Sequence, residues 1–441
     1  MGAGGGRGHR AVAGYDEDTT TMGVEAARNA LRGSTVTPSS IWFATANPAY
    51  LDKTNATAIQ AALDLPQDTW AVDAGGSARS AEAAILGAKG TPGISMAVVS
   101  DLRTGNPTSN DESNGGDGAA AVIFGDDEDA PVLAHTLGFA ASTGEFLDRY
   151  RLPGDTSSRI WEERFGEQAY LALAEDAIGR ATKSANVEME DIDKVVIAGL
   201  HARAVRGLSR IAGDKLVDDL TGRIGNPGAA QLPVLVASVL DQAEPGETIL
   251  CVHLADGAYA SVMRTTDAIS DYTPFATVEA QIEAGSDNLE YNLYLTWRGF
   301  LDREPPRRPD PDRPGAPPTS RSEDWKYAFV GSRDRASGAI HLPPMRVSMD
   351  GGAVDDMERI SMADVPATIA TFTVDYLAFS LSPPTVAVVI DFDGGGRFQA
   401  EMTDVDPNEV KIGDRVEMTF RRLFTAQGIH NYFWKARPLT D

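Results

Sequence analysis

Few side chains in this sequence combine the type and the setting that covalent chemistry needs. The chain has one cysteine, Cys251, so it can form no intrachain disulfide and no cysteine-rich metal site. Because Cys251 lies in the apolar run Ile249-Leu250-Cys251-Val252, which is typical of a buried strand, we expect a structural thiol. Ser77 stands before a predicted helix and could in principle be acylated, but no base stands beside it in the sequence. Capping that helix is the alternative role for Ser77.

The composition restricts the classes of partner. A chain of 441 residues is expected to hold two or three domains, and 42% hydrophobic residues are typical of a globular protein. Its 39 Lys and Arg residues face 64 Asp and Glu residues, which gives a formal net charge of -25. Such a surface repels phosphate backbones and anionic lipids, so we expect neither nucleic acid nor a membrane as a partner.

The glycine-rich N-terminal stretch, residues 1–8, has no apolar run like that of a secretory signal. No stretch of about 20 apolar residues occurs elsewhere in the sequence. We therefore expect a cytoplasmic protein.

An internal echo indicates how the first part of the chain folds. Residues 116–122 (GDGAAAV) are loosely repeated at 255–262 (ADGAYASV), and each copy places small residues before an apolar strand. A helix and then a strand are predicted upstream of each copy: Thr21–Leu31 with Ile41–Ala44, and Tyr170–Ala181 with Asp193–Ala198. A two-fold repeat of this kind favours a layered α/β architecture over a barrel.

The remaining segments differ in character. Residues 126–165 look irregular and predict an insertion or lid, residues 288–303 look helical, and Pro305 to about Pro318 predicts an extended Pro-rich linker. The predicted strands of the last part are Ala367–Tyr376, Thr385–Asp391, Arg397–Thr403, Arg415–Phe420 and His430–Ala436, with a turn at Gly394–Gly396. Five short strands in succession are typical of a small barrel of the OB type.

Two parts of the sequence carry a resemblance to a known family. The segment Arg10–Leu31 and the loop Ile224-Gly225-Asn226 with its following helix resemble the corresponding parts of archaeal-type hydroxymethylglutaryl-CoA synthases, over about residues 9–265. Asp406–Gly413 is similar to the acyl-CoA-associated OB-fold domain that partners such thiolases. The resemblance implies a duplicated thiolase-type layered α/β fold plus a C-terminal small β-barrel (OB-fold). The implied domains are a thiolase-like domain at 1–265, a helix and Pro-rich linker at 266–325, and an OB-fold domain with a zinc ribbon remnant at 326–441.

The resemblance also implies where catalytic residues should lie. In that family a cysteine thiolate at a helix N-terminus attacks the acyl-CoA thioester, and a histidine and a glutamate handle protons. The cysteine position falls on Ala78, the glutamate position on Ala46 and the histidine position on Ala198. Because all three are alanine, we expect no condensation through a cysteine acyl-enzyme.

Weaker candidates stand near these positions. His201 lies where the family tends to carry asparagine, and it is either turned inward or a polar loop residue. Tyr50 and Tyr259 are candidate acid and base groups for retro-aldol cleavage, a reaction of some thiolase-like proteins that lack the cysteine, and buried packing is the alternative for each. Coenzyme A would be part of the ligand rather than a cofactor, and the residues near its expected pocket are Arg79, Arg203, Arg206, Gly225, Asn226 and Gly257. Each arginine could equally be a surface charge, and Asn226 could serve only its own loop.

The related OB-fold domain usually starts with a zinc ribbon of two Cys-x-x-Cys knuckles. The matching runs here are Asp334–Gly338 and His341–Ser348, in which prolines persist but cysteines do not. We therefore predict no metal site. The acidic residues that follow, Asp350, Asp355 and Asp356, are typical of a solvated charged loop.

The resemblance leaves three functions open. The one we favour is a catalytically degenerate accessory or scaffold subunit that binds acyl-CoA, forms a homodimer and recruits an active thiolase. The alternatives are an acyl-CoA retro-aldolase and an ordinary synthase whose catalytic residues lie elsewhere. Family members also carry a few dozen residues, including a first strand, before the position of Arg10. We therefore expect either a tolerated shorter N-terminus or an internal start, with a sheet edge that something must cover.

Overall fold

The chain divides into two compact units. A computed structural model describes residues 8–126, 130–307 and 311–439. The first unit comprises the described part of Met1–Ala13 with Ala26–Thr57 and Gln67–Gly285, and the second comprises Gly14–Glu25, Ala58–Pro66 and the described part of Ser286–Asp441. Most of the glycine-rich N-terminal stretch and residues 308–310 of the Pro-rich stretch lie outside the described residues. Within the described ranges, no helix has the length and apolar character needed to cross a membrane.

Helices and strands alternate up to residue 285. The helices are α1 (Thr19–Leu31), α2 (Ala56–Ala62), α3 (Ser80–Gly90), α4 (Asn110–Asn114), α5 (Glu163–Ala185), α6 (Ala202–Ala212), α7 (Thr221–Ile224), α8 (Gln231–Leu240) and α9 (Val278–Glu283). The strands are β1 (Ser40–Thr45), β2 (Trp70–Gly75), β3 (Ser95–Leu102), β4 (Asp117–Phe124), β5 (Ala134–Thr143), β6 (Arg149–Tyr150), β7 (Arg159–Ile160), β8 (Lys194–Gly199), β9 (Thr248–Leu254) and β10 (Gly257–Thr265).

The first sheet of this unit has the strand order β2-β1-β3-β4. Strand β1 pairs in parallel with β2 and β3, and β4 joins β3 in antiparallel orientation. The register places Thr45 opposite Gly75, at the carboxyl ends of β1 and β2. Because parallel strands end at the same edge of a sheet, the loops that follow, which hold Ala46 and Ala78, lie side by side.

The second sheet repeats this plan with the order β5-β10-β9-β8. Strands β8 and β9 are parallel, and β10 is antiparallel to both of its neighbours, β5 and β9. The register aligns Ala198 of β8 with His253 of β9, and His253 with Tyr259 of β10. These three side chains therefore share one face of the sheet.

Small residues allow the layers of the first unit to pack closely. Ala81, Ala84 and Ala88 form a fully buried stripe along α3 at helical spacing. With α8, this helix lies in a hydrophobic cluster that includes residues of both sheets. A second cluster packs α5 and α6 on the other face of the second sheet. The two sheets with helices between and outside them confirm the predicted duplicated, layered α/β fold.

The prediction that residues 126–165 are irregular was wrong in its central part. Strand β5 spans ten residues of that segment and forms an edge of the second sheet, paired with β10. Its sequence, AHTLGFAAST, is rich in small residues because helix α5 packs against it. A Cβ atom on Gly138 would stand 2.5 Å from the backbone nitrogen of Ala185 in α5.

The second unit contains shorter helices and a strand-rich end. Its helices after residue 285 are α10 (Tyr291–Trp297), α11 (Ala316–Arg321) and α12 (Glu323–Lys326). Its strands are β11 (Val330–Asp334), β12 (Ile340–His341), β13 (Met357–Ser361), β14 (Ala367–Asp375), β15 (Thr385–Phe392), β16 (Arg397–Met402), β17 (Arg415–Ala426) and β18 (Ile429–Pro438). The helix predicted at 288–303 is therefore only seven residues long, and the stretch predicted as extended to Pro318 turns helical at Ala316. Proline is tolerated there because it falls in the first turn of α11.

The last five strands close into a barrel of order β14-β15-β16-β18-β17, which confirms the predicted OB-type barrel. Burial alternates along β15, as expected for a strand with one face towards the barrel interior. Aromatic rings fill part of this interior: the ring of Trp434 lies 5.5 Å from that of Phe420 and 6.0 Å from that of Phe329.

Buried ion pairs join the segment Gly14–Glu25 to barrel strands of the same unit. The ammonium of Lys435 lies 3.0 Å from carboxylate oxygens of both Asp16 and Glu401. Arg421 adds a second cation 3.5 Å from Asp16, and the hydroxyl of Tyr432 donates to Asp18 over 2.7 Å. The opposed charges compensate for the desolvation that burial imposes on each group.

Candidate functional site

The loop before α3 holds the position that the family resemblance gives to the nucleophile. Ala78 is 7% exposed and precedes the first residue of α3 by two positions. The hydroxyl of Ser77 accepts a 3.3 Å hydrogen bond from the Arg79 backbone N–H, and the Ser77 carbonyl accepts one from Ser80. Helix α3 begins at Ser80, so Ser77 stabilises the turn before the helix and is not its N-cap residue.

The loop after β1 holds Ala46, which is also 7% exposed. An arginine from the segment after β6 covers this loop: Arg151 donates to the Ala46 carbonyl and, over 3.3 Å, to the side-chain oxygen of Asn47. Burial, and next the positive charge of Arg103, lower the pKa of the Arg151 guanidinium. A cationic group thus lies at the loop where the resemblance expects a carboxylate.

The end of β8 holds Ala198, which is fully buried and lies opposite His253 of β9. The next residue is held by the glycine-asparagine loop: the Asn226 amide donates 2.9 Å to the Gly199 carbonyl and 2.8 Å to Gln231. The Asn226 side-chain oxygen accepts from the Gly228 N–H. All polar groups of the Asn226 side chain therefore stabilise the loop.

His201 begins helix α6 as its N-cap residue. Its Nδ1 accepts a 3.1 Å hydrogen bond from the Ala204 N–H, and its Nε2 lies 2.8 Å from the Glu163 carbonyl, to which it donates. These two bonds fix the ring orientation and place the proton on Nε2. The geometry gives His201 a structural role and leaves neither nitrogen available to a substrate.

A buried acid–imidazole pair lies one helical turn beyond Ala78. The Glu82 carboxylate of α3 meets Nδ1 of His253 at 2.7 Å, and both side chains are almost completely buried. The other carboxylate oxygen and Nε2 of His253 have no hydrogen-bond partner among the described residues. Tyr259 lies across the strand pair from His253, and burial raises the pKa of its phenol to about 12.

Cys251 and Tyr50 lie in different settings. Cys251 is buried in β9, and desolvation raises the pKa of its thiol to about 12, so it is almost wholly protonated at neutral pH. Tyr50 lies in the loop between β1 and α2, where its backbone N–H donates to Asn55. Tyr50 thus belongs to the edge of the first sheet, whereas Tyr259 lies within the second.

Arg79 ties the start of α3 to the second sheet. Its guanidinium donates to the Asp256 carbonyl in the β9–β10 turn and, over 2.6 Å, to the Thr143 hydroxyl. Glycine is required in that turn, because Gly257 has φ +131° and a Cβ atom would overlap the Ser142 carbonyl. Gly225 is similar, with φ +73° and the Gly115 carbonyl against it. The nucleophile loop therefore contacts this turn, and Gly199, which Asn226 holds, lies against Leu254 just before the turn.

Helix α6 carries Arg203 and Arg206, the other two arginines predicted near the coenzyme A pocket. Arg203 and Arg206 are exposed, and Arg203 lies 3.4 Å from the Glu163 carboxylate. An exposed pair of this kind contributes little to stability. Both side chains are exposed to solvent.

The zinc-knuckle positions of the second unit hold a hydrogen-bonded cluster. Ser337 donates 2.7 Å to Asp334, and the hydroxyl of Ser348 lies 3.4 Å from the His341 ring. Hydrogen bonds from Ser348 and then Ser337 lower the pKa of Asp334 to about 2. Across the described residues, no group of three His, Cys, Asp or Glu side chains is placed to hold a metal ion. In the acidic loop that follows, Asp355 pairs with Arg346 at 2.6 Å.

Sequence reasoning missed Glu82, His253, Arg103 and Arg151. Two of these could have been found in the sequence. Glu82 interrupts an alanine-rich helix face four residues after Ala78, and His253 is the one ionisable imidazole in the apolar strand segment 249–254, ILCVHL. The arginines could not, because Arg151 contacts a loop about a hundred positions away. At Ala46, Ala78 and Ala198, the positions to which the resemblance assigns the acid, the nucleophile and the base, the structure places neither a thiol nor an imidazole.

Both parts of this chain are similar to known proteins. Residues 362–421 match the family described as the ChsH2 C-terminal OB-fold domain. The chain is similar to hydroxymethylglutaryl-CoA synthase of Pyrococcus furiosus, with 30% identity over 66% of this chain and 86% of that protein. The enzyme of the same name from Methanothermobacter thermautotrophicus is also 30% identical, over 66% of this chain and 88% of that protein.

Solved structures are similar in fold at lower identity. MvaS in complex with 3-hydroxy-3-methylglutaryl coenzyme A has a TM-score of 0.54 and 18% identity, covering 69% of this chain and 85% of that one. The 3-oxoacyl-(acyl carrier protein) synthase III, FabH, from Pseudomonas aeruginosa has a TM-score of 0.50 and 21% identity, covering 58% of this chain and 86% of that one.

Proposed function

Because this chain belongs to the hydroxymethylglutaryl-CoA synthase family, we propose that it binds acyl-CoA and serves as a catalytically degenerate accessory subunit of a thiolase. The observation that carries the proposal is the presence of Ala46, Ala78 and Ala198 where the family resemblance places the acid, the nucleophile and the base. An alanine methyl group can neither form a thioester nor move a proton.

The nearest possible replacements do not restore the missing chemistry. The Cys251 thiol is buried and its pKa is raised, so it is a poor nucleophile at neutral pH. His201 uses both ring nitrogens for backbone contacts, and the imidazole of His253 is directed to Glu82. The converging loops, in contrast, retain the glycines and Asn226 that shape the site.

The test of ligand binding and of catalysis can share one sample. The full chain is incubated with acetyl-CoA, and binding is measured by calorimetry while covalent acylation is followed by intact mass. Binding without an added acetyl group is the expected result. An acetylated protein would revive the ordinary synthase reaction, and the absence of binding to any CoA thioester would overturn the proposal.

The accessory role needs a separate measurement. Affinity purification from the native host, followed by native mass spectrometry, should give this chain as a homodimer with a stoichiometric thiolase partner. A homodimer that carries no thiolase would refute the accessory role and leave acyl-CoA binding standing alone.

A second function, retro-aldol cleavage of a 3-hydroxyacyl-CoA, is favoured by the buried group of Glu82, His253 and Tyr259. In such a reaction a base takes the proton of the 3-hydroxyl group, the bond between the second and third acyl carbons breaks, and an acid protonates the resulting enolate. Burial raises the pKa of the Tyr259 phenol and keeps it protonated at neutral pH, so it holds a proton that the much more basic enolate can take. Release of an aldehyde or ketone by the wild type, lost in Tyr259→Phe or Tyr50→Phe with CoA binding intact, would establish it. The absence of a carbonyl product from the wild type would refute it.

A further inference from the structure

A hairpin at residues 345–355 of the second unit, which we term the Met–Val hairpin, holds its side chains in a defined arrangement. Val347 lies opposite Val354 in an antiparallel bridge. Backbone hydrogen bonds of 2.7 and 2.8 Å join the two arms on either side of that bridge. At the base, the Met345 N–H donates over 2.8 Å to the hydroxyl of Ser332 in β11. The hairpin is therefore ordered by its own hydrogen bonds and by its attachment to β11.

The two faces of the Met–Val hairpin have the reverse of the polarity expected for a hairpin in water. Side chains alternate between faces along a strand, so Met345 and Val347 share one face, and Val354 lies on it opposite Val347. Met349 follows in the turn at the tip, and the four side chains are exposed, from 40% at Met345 to 80% at Met349. The other face carries Ser348, which is buried against the hydrogen-bonded cluster at the zinc-knuckle positions. Because a solvated hairpin normally turns its polar side chains to water, this outward apolar face requires another explanation.

An outward apolar face of this kind indicates a contact surface. Single exposed apolar residues are ordinary on soluble proteins, whereas a contiguous group on one element marks a site of interaction. Methionine is suited to such a surface, because its unbranched thioether chain adapts to the shape of a partner. The order already present in the hairpin also lowers the entropy that binding would cost. The Met–Val hairpin thus has the composition and the defined backbone of a docking element.

The charge of the hairpin restricts what can cover it. Residues 345–356 contain one arginine and three aspartates. The arginine, Arg346, pairs with Asp355 at 2.6 Å, and Asp350 lies exposed at the tip. A second copy of this negative segment would bring a like charge to the contact, and anionic lipids would do the same. A partner with Lys or Arg at the rim of its contact surface is complementary.

The size of the apolar face restricts the shape of the partner. A stable interface buries about 800 Å² on each partner. Four side chains pressed against a flat surface fall short of that area, whereas a groove that receives the hairpin contacts both arms and the tip. The hairpin therefore fits a concave, apolar surface with a basic rim.

We propose that the Met–Val hairpin docks into an apolar groove, rimmed by Lys or Arg residues, on a second protein. The hairpin lies wholly within the second unit, so the proposal goes beyond acyl-CoA binding and does not depend on it. It does not require that the second protein be a thiolase.

The first experiment places a photo-crosslinking amino acid at position 347 of the full chain, expressed in the native host, and identifies the crosslinked peptides by mass spectrometry. The same amino acid at position 412 is the matched control, because Ile412 is 66% exposed in the same unit but lies outside the hairpin. We expect position 347 alone to crosslink to one protein, in an apolar segment that neighbours Lys or Arg. Crosslinks from position 347 to a second copy of this chain, to lipid or to nothing would overturn the proposal.

The second experiment measures the affinity of the purified crosslinked protein for the full chain by calorimetry. Met349→Ser should weaken binding about tenfold or more, because burial of one methionine side chain contributes that much. Asp350→Asn should weaken binding at low salt and have little effect at high salt, since salt screens an exposed charge. The control Ile412→Ser should leave the affinity unchanged. Equal affinities for wild type and Met349→Ser would overturn the docking site.

Together the two experiments separate this proposal from the accessory role. A crosslinked protein that has the stated groove but is not a thiolase would support the docking site without supporting the accessory role. A stoichiometric thiolase whose affinity is unchanged in Met349→Ser would leave the accessory role standing and refute the docking site.

Discussion

The pair formed by Glu82 and His253 allows a test of whether the centre of the thiolase-like domain is held by a coupled polar contact. In Glu82→Leu, Nδ1 of His253 loses the one polar partner it has among the described residues while remaining completely buried. Leaving a buried polar group unsatisfied costs about 1–3 kcal/mol, so the single variant should be destabilised by about that amount. His253→Leu should cost a similar amount, because it leaves the carboxylate without its partner.

The double variant should behave differently from the sum of the two. One oxygen of Glu82 and one nitrogen of His253 are already without partners, so replacing both side chains removes two unsatisfied atoms together with the hydrogen bond. Replacing both members of a buried pair with apolar groups is often neutral or stabilising. We therefore expect the double variant to lie within about 1 kcal/mol of the wild type.

Amide hydrogen exchange of peptides from α3 and β9 is the suitable assay, because it reports the free energy of opening for this unit alone. Glu175→Leu, an exposed change on α5, is the matched control and should have little effect. Additive destabilisation in the double variant would refute the coupling. Unchanged acyl-CoA binding in the double variant would assign the pair to stability, whereas loss of a cleavage product would assign it to chemistry.

Three further predictions follow from the buried groups. Lys435→Met should lower the free energy of unfolding of the second unit by about 3–5 kcal/mol, because it leaves Asp16 without one of its two cations, and urea denaturation against the exposed control Lys411→Met would measure it. Asp334 has a folded pKa of about 2, below its unfolded value near 4, so its stabilisation is present above about pH 4 and is lost as the pH falls through 2. The stability difference between wild type and Asp334→Asn should therefore shrink over that range in an acid titration, and a difference that persists unchanged at pH 2 would contradict the assignment. Cys251 should resist iodoacetamide at pH 8 in the native protein and react after unfolding, as followed by intact mass, because its pKa is about 12; rapid native labelling would show that the thiol is accessible.

Local patterns predicted the barrel well, because each strand carries its own signal. Strand β15 spans Thr385–Phe392, one residue beyond the predicted Thr385–Asp391, and its alternating burial follows its alternating sequence. The length of strand β17 was underestimated. The strand continues from the predicted end at Phe420 to Ala426, and the added residues include two arginines that pair with β18. Arg421 and Arg422 interrupted the apolar pattern and hid the second half of that strand.

Strand β5 shows the opposite case, in which tertiary contacts decide the structure. Its small residues have little strand propensity, but β10 supplies hydrogen bonds along its length and α5 requires a glycine at position 138. The site divides in the same way. The three alanine positions could be read from motifs, whereas the contact of Arg151 with the Ala46 loop depends on a fold that no local pattern encodes.

The three alanine positions have different surroundings, and this difference bears on what the domain can still do. Ala198 is fully buried in β8, and Ala78 is 7% exposed in the loop before α3. A larger side chain at Ala198 would therefore have to displace the residues packed against it. At Ala46, in contrast, the guanidinium of Arg151 donates a hydrogen bond to the backbone carbonyl of the loop. The Ala46 loop therefore lies beside a charged side chain, and there we expect the charge of a ligand to affect binding.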